Sequence, residues 1–134
     1  MPRPQPRFPE PDTQPFWDAT KEHKLTYQVC SNSHVVFFPR AHCPTCGSSK
    51  METRESKGEG TVYTYSVVRL NRHPAFAELG PYAVAYVDVD EGFRVLTNIV
   101  GLADPVKDAK IGQRVKLKWE DQESGISLPM FTPA

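Results

Sequence analysis

Two thiols separated by two residues, Cys43-Pro44-Thr45-Cys46, followed by Gly47, form the segment of this chain best suited to chemistry. Thiolates at that spacing can grip one metal ion, and the glycine lets the backbone amides turn toward the sulfurs. A second such pair would begin at Cys30, but the position three residues later is Ser33. A serine hydroxyl is not ionised near neutral pH and ligates Zn²⁺ poorly. Three thiolates therefore remain, with two candidate imidazoles, His34 and His42. His34 lies one residue beyond the expected ligand position, so Cys30, His34, Cys43 and Cys46 would make a Cys₃His site. The competing reading is a degenerate ribbon without metal, held by packing of Val35, Phe37 and Phe38. A dithiol redox role would need a helix N-terminus after a βα unit, and the pattern around these cysteines is strand and turn.

Little else in the chain has the form of a catalytic group. There is no nucleophile motif, phosphate loop or HExxH. The four histidines, at 23, 34, 42 and 73, have no patterned carboxylate partner. Asp88 and Asp90 flank a hairpin turn, which accounts for them as solvated turn residues. The expectation is a protein that is not catalytic alone.

The elements that must position the cysteines follow from hydrophobic patterning. Six of thirteen prolines fall within the first fifteen residues, so Met1 to about Pro11 should be extended, and either mobile or draped over a partner. A short helix follows, with Thr13 as cap, Pro15 in the first turn, and Phe16 and Trp17 on it. LTYQVC and HVVFFP read as short β pieces around the cysteine turn. GTVYTYSVVRL, YAVAYVDV, FRVLTNIVG and RVKLKWE read as strands, with the DEG turn at Asp90–Gly92 closing a hairpin. Val115, Leu117 and Trp119 face inward, and Arg114, Lys116 and Lys118 face water. Asp104 and Pro105 cap a helical turn ending near Gly112. SLPMFTP carries Pro129, which predicts a sheet edge. Five strands with one short helix between the third and fourth match a small OB-type barrel. The fold class is mainly β: an arm and helix (1–25), a ribbon-like segment (26–57) and a barrel (58–134).

Composition narrows the partners. Sixteen basic residues balance sixteen acidic ones in 134 residues. From Gly60 to Ala134 there are eight Lys or Arg against nine Asp or Glu, a net of 8 − 9 = −1. Tyr63, Tyr65, Tyr82 and Tyr86 could stack bases, but the barrel lacks the positive charge that dominates nucleic-acid binding. No apolar run reaches the roughly 20 residues of a membrane helix, and the N-terminus has no apolar secretory core. Neither a nucleic acid nor a membrane is the expected partner, and a cytoplasmic location is expected.

In order, FWDATKEHKLTYQVC, FFPRAHCPTCGSS, GEGTVYTYSVV and PYAVAYVDVDEGFRVLTNIVG resemble the zinc-ribbon and OB-fold family known as domain of unknown function thirty-five. The resemblance runs from about Pro15 to Pro133. Its departures are Ser33, where the family usually has the second ribbon cysteine, and His34, where it usually has glycine. The resemblance implies a rubredoxin-like ribbon with a structural Zn²⁺, an OB barrel, and an accessory role. Family members look to be partners of thiolase-fold enzymes in hetero-oligomers: acetyl-transferring thiolases, and thiolase-like aldolases that shorten acyl-CoA side chains, including those of steroids. Others are fused to or paired with hydratases. The ribbon and helix would bridge to the enzyme, with the barrel near a shared acyl-CoA.

Within that frame Arg69, Arg72, His73 and Phe76, on the long loop between two strands, could supply cations for phosphates and an apolar surface for the rest of coenzyme A. The bland alternative is an ordinary loop of balanced charge. Phe16, Trp17, Phe37 and Phe38 lie outside the barrel and are large and apolar. They are expected at the partner interface, and their alternative role is to pack the ribbon onto the barrel.

Overall fold

The structure, a computed structural model, describes residues 3–7 and 10–134. Met1, Pro2, Phe8 and Pro9 of the expected arm lie outside the described residues. Helix α1 (Gln14–Thr20) leads into a three-stranded sheet of β1 (Thr26–Cys30), β2 (Val35–Val36) and β3 (Met51–Glu55), ordered β2-β1-β3. Then come β4 (Glu59–Val68), a 3-10 turn at Ala77–Leu79, β5 (Tyr82–Val89), β6 (Phe93–Ile99), α2 (Pro105–Asp108), β7 (Arg114–Asp121) and β8 (Ser127–Pro133). These last five strands close into a barrel in the order β4-β5-β6-β8-β7, the expected OB-type layout.

Local chemistry explains most of the elements. Asp104 caps α2 by accepting from the Val106 amide at 3.1 Å, with Pro105 in the first turn. That helix ends at Asp108, before the expected Gly112. Gly92 sits at φ 105° in the β5–β6 turn, a conformation that favours glycine. Gly60 is required by proximity, since a Cβ there would lie 2.6 Å from the Asp88 carbonyl oxygen on β5. Along β7, Val115 is buried and Leu117 and Trp119 half-buried, while Arg114, Lys116 and Lys118 are exposed.

Three expectations need correcting. Thr13 precedes α1, but its hydroxyl donates to the Glu10 carbonyl at 3.1 Å and makes no cap bond to the helix. Strand β8 is not an edge: it pairs along its whole length with β7 and touches β6 at Ile99–Phe131. The Pro129 carbonyl accepts from Thr97 Oγ1 at 2.7 Å, so the proline's missing N–H points at β6, where the ladder is short. The arm is not mobile at Arg3 and Gln5, whose side chains bond to Glu120 and Gln122 of the barrel.

The main core joins the segments rather than dividing them. Phe16 and Leu25 from the helix region, and Tyr27 and Val29 from β1, are buried with Val62, Val87, Phe93, Val115 and Phe131 of the barrel. Phe93 stacks on Phe37 at 5.0 Å and on Tyr27 at 5.1 Å. Truncating so large a buried ring costs about 3–5 kcal/mol. Phe93→Ala should therefore lower denaturant stability by that order, with ribbon and barrel probes losing structure in one transition.

Arg114 holds Asp90 by two bonds of 2.8 Å, which places the Asp90 carboxyl below its ordinary value. A carboxyl with a lower value folded than unfolded adds stability above the unfolded value and loses it as pH falls through the folded one. Both partners are half exposed, so the effect is small. Arg114→Met should open a gap in denaturation midpoint at about pH 7 that closes at about pH 2.

Candidate metal centre and docking surface

The β1–β2 hairpin and the turn after it bring the cysteines together. The Ser33 amide donates to the Cys30 carbonyl at 2.9 Å, and Ser33 adopts φ 67°. That left-handed step turns the next side chain back across the hairpin. His34 Nδ1 consequently lies 3.4 Å from Cys30 Sγ and 3.7 Å from Cys43 Sγ. Cys46 Sγ lies 3.8 Å from Cys30 Sγ, and all four ligand atoms fall within 4.8 Å of one another. Tetrahedral Zn²⁺ needs about 3.8 Å between two thiolates and about 3.6 Å between thiolate and imidazole. The donor set fits a structural zinc ion. An imidazole reaches further than a thiol, so His34 can serve from one position beyond the usual second cysteine. His42 is exposed and outside the cluster.

Amides surround the sulfurs. Backbone N–H groups of Asn32 and His34 point at Cys30 Sγ (3.3 and 3.4 Å), and that of Thr45 at Cys43 Sγ (3.4 Å). The Asn32 side-chain amide donates to Cys46 Sγ at 3.3 Å. This bond is the largest cause that lowers the Cys46 thiol to about 6, followed by the Ser48 backbone. Burial pushes the Cys30 thiol up. Metal binding requires thiolates, and the amides aimed at the sulfurs favour that form. Asn32 escaped sequence reasoning because nothing in an Asn's position announces a bond to a residue fourteen places on.

The loop expected to meet coenzyme A leaves Arg69, Arg72 and His73 exposed and Phe76 half-buried. His73 Nδ1 accepts from the Ala75 amide at 3.1 Å, so one ring nitrogen is spent on the turn itself. Phe76 lies 5.6 Å from the His73 ring and 6.0 Å from Tyr82.

Of the four aromatics expected at an interface, Phe16 is 2% exposed and belongs to the chain's own core. Its ring sits 4.9 Å from Phe38, 5.1 Å from Trp17 and 5.5 Å from Phe37, which is the alternative role of packing the ribbon onto the barrel. Trp17 and Phe37 are half-buried, and Phe38 is 40% exposed. Beside them in one cleft is Leu96 of β6, 59% exposed, which sequence reasoning missed. Its position on the polar phase of an alternating strand was the available signal.

Residues 17–52 match the family described as "ChsH2, rubredoxin-like zinc ribbon domain", and residues 53–120 match "ChsH2, C-terminal OB-fold domain". A "DUF35 domain-containing scaffold protein" of Methanocaldococcus jannaschii is 36% identical over 82% of this chain and 81% of its own length. The chain belongs to the DUF35 family. A chain of the solved "Ltp2-ChsH2(DUF35) aldolase" superposes with a TM-score of 0.83 at 37% identity, covering 96% of this chain and 98% of that one. The "Probable enoyl-CoA hydratase alpha subunit" of Thermomonospora curvata is 41% identical over 89% of this DUF35 chain, which spans only 37% of that relative's length. No helix among the described residues is long and apolar enough to cross a membrane.

Protein prepared without chelator should carry about one zinc per DUF35 chain by elemental analysis. Removing a partner that orients a ligand typically costs about 10–100-fold in metal affinity. Asn32→Ala should weaken zinc by that order in chelator competition. Chelation should speed amide exchange across residues 26–50 and leave the barrel protected.

Proposed function

We propose that this chain is an accessory subunit of a thiolase-like aldolase that cleaves a carbon–carbon bond in an acyl-CoA side chain, such as that of a steroid. The observation that carries the reading is the near full-length likeness to the DUF35 chain of the solved aldolase, in sequence and in fold. The catalytic groups belong to the thiolase-fold partner in a hetero-oligomer. This chain contributes assembly and a wall of the acyl-CoA site, with the zinc holding the ribbon in shape.

The exposed side of the aromatic cluster is the partner contact in this reading: Trp17, Phe37 and Phe38, extended by Leu96. Phe16 supports them from below. The loop carrying Arg69, Arg72, His73 and Phe76 is the acyl-CoA contact. Support is chemical: exposed cations with a half-buried ring at one barrel end suit a phosphate-bearing, partly apolar ligand. The arm and helix (1–25), ribbon (26–57) and barrel (58–134) act as one unit, because β1 supplies residues both to the metal centre and to the barrel core.

A second reading, partnership with a hydratase, rests on two relatives. One is the Thermomonospora protein; the other is the "3-oxo-4,17-pregnadiene-20-carboxyl-CoA hydratase alpha subunit" of Mycobacterium tuberculosis, 31% identical over 82% of this chain. Purifying the native complex and identifying the partner separates the two. A thiolase-fold partner whose aldolase activity depends on this chain supports the first, and a hydratase partner supports the second. Robust lyase activity from the isolated chain would overturn the accessory role. Leu96→Asp should sharply reduce co-purification and leave the melting temperature of the isolated chain nearly unchanged, because Leu96 is 59% exposed and lies outside the ring cluster.

A further inference from the structure

One of the four ligand residues is open to solvent. Cys30 and Cys43 are 5% and 3% exposed and His34 is half-buried, whereas Cys46 lies exposed on the turn. Its sulfur sits 3.8 Å from the Cys30 sulfur. A small oxidant therefore meets Cys46 first, with a second thiol directly behind it. An accessible thiolate beside a cysteine able to resolve it is the arrangement that makes oxidation at a thiol site-selective and reversible.

The donor count decides what such oxidation does. With Ser33 where a second hairpin thiol would stand, the site has three sulfurs and one imidazole. A disulfide between Cys30 and Cys46 consumes two of the four donors and leaves only Cys43 and His34. Structural Zn²⁺ is held by four donors, so a site reduced to two gives up the ion. The apolar cluster around it is Cys30, Val36 and Cys43 with part of Met51, so little else orders this end of the ribbon. Tyr27 and Val29, in the shared core, hold the other end of β1 to the barrel whether or not the ion is present.

We propose that Cys46 is a site of reversible oxidation by peroxides, and that its disulfide with Cys30 ejects the zinc ion and loosens the ribbon. The Cys46 thiolate attacks one oxygen of hydrogen peroxide, the O–O bond breaks, and hydroxide leaves, giving a sulfenic acid on Cys46. The Cys30 thiolate attacks that sulfur and displaces a second hydroxide as the S–S bond forms. The thiolates lose two electrons, the peroxide gains both, and the two hydroxides take protons from solvent. A dithiol reductant reverses the change by thiol–disulfide exchange. The step is a stoichiometric switch rather than dithiol turnover, whose helix N-terminus this strand-and-turn setting lacks. It rests on the zinc centre and not on the identity of the enzyme partner.

The test uses the zinc-loaded full chain, hydrogen peroxide and a chromophoric zinc indicator. The parent chain should release its zinc in step with formation of a Cys30–Cys46 disulfide, mapped by mass spectrometry of unreduced peptides. Oxidation of Met51, which packs beside the cluster, adds oxygen, whereas the disulfide removes hydrogen, so the two are told apart by mass. Amide exchange should quicken across residues 26–50, and dithiothreitol with added zinc should restore protection. Cys46→His keeps a fourth donor and should hold its zinc at the peroxide dose that empties the parent chain. The disulfide map of the parent chain needs no variant, so it decides the question even where Cys46→His fails to load zinc. Zinc retained by the parent chain under peroxide, zinc lost through any disulfide other than Cys30–Cys46, or an oxidation that dithiothreitol does not reverse would each overturn the proposal.

Discussion

Four aromatic rings carry the architecture. Phe16 comes from the helix, Phe37 from the ribbon, Tyr27 from β1 and Phe93 from the barrel, and their rings meet at centroid separations of 5.0–5.5 Å. Edge and offset-stacked contacts at these distances add to the burial of large apolar surfaces. The chain is too short to give each segment a core of its own. The ring stack lets helix, ribbon and barrel share one core, with the ribbon packed directly against the barrel. Thr20 reinforces it: its hydroxyl donates to the Trp17 carbonyl and accepts from the Ser127 amide of β8.

The metal centre is the other end of the same design. Strand β1 places Tyr27 and Val29 in the shared core and ends at Cys30, in a small cluster holding little more than Val36, Cys43 and part of Met51. That cluster buries too little to order the loops around it. A structural zinc ion contributes about 10–16 kcal/mol to the folding of such a segment, which is why the thiolates sit where apolar packing gives out. Asn32 links the two halves of the site by touching Cys30 through its backbone and Cys46 through its side chain.

Because the ring stack consumes Phe16 and most of Phe37, what remains outside is a narrow apolar margin of Trp17, Phe38 and Leu96. Arg3 of the arm lines the same cleft, with its guanidinium against Glu120 and Phe76. The surface available to other molecules is therefore set by how the chain spends its aromatics internally. Elsewhere the barrel wall is closed by charge: Arg94 pairs with Asp88 and lies over Tyr63.

Features that depend on near neighbours were legible in the residues alone. The C-x2-C turn, the alternation of RVKLKWE, the DEG hairpin and the Asp104-Pro105 cap each express a constraint within a few residues, and each appears in the structure. Strand β3 was not legible, because four of its five residues are exposed and it has no hydrophobic period; backbone pairing along β1 alone makes it a strand. His34 was already legible as the fourth ligand from its place beside the missing second cysteine, whereas the burial of Phe16 and the interior place of Pro129 were decided by tertiary structure. Each depends on which distant segment arrives beside it. Sequence determines what a residue can do within its own turn or strand, and only the closed fold decides which of four rings is buried and which stays at the surface.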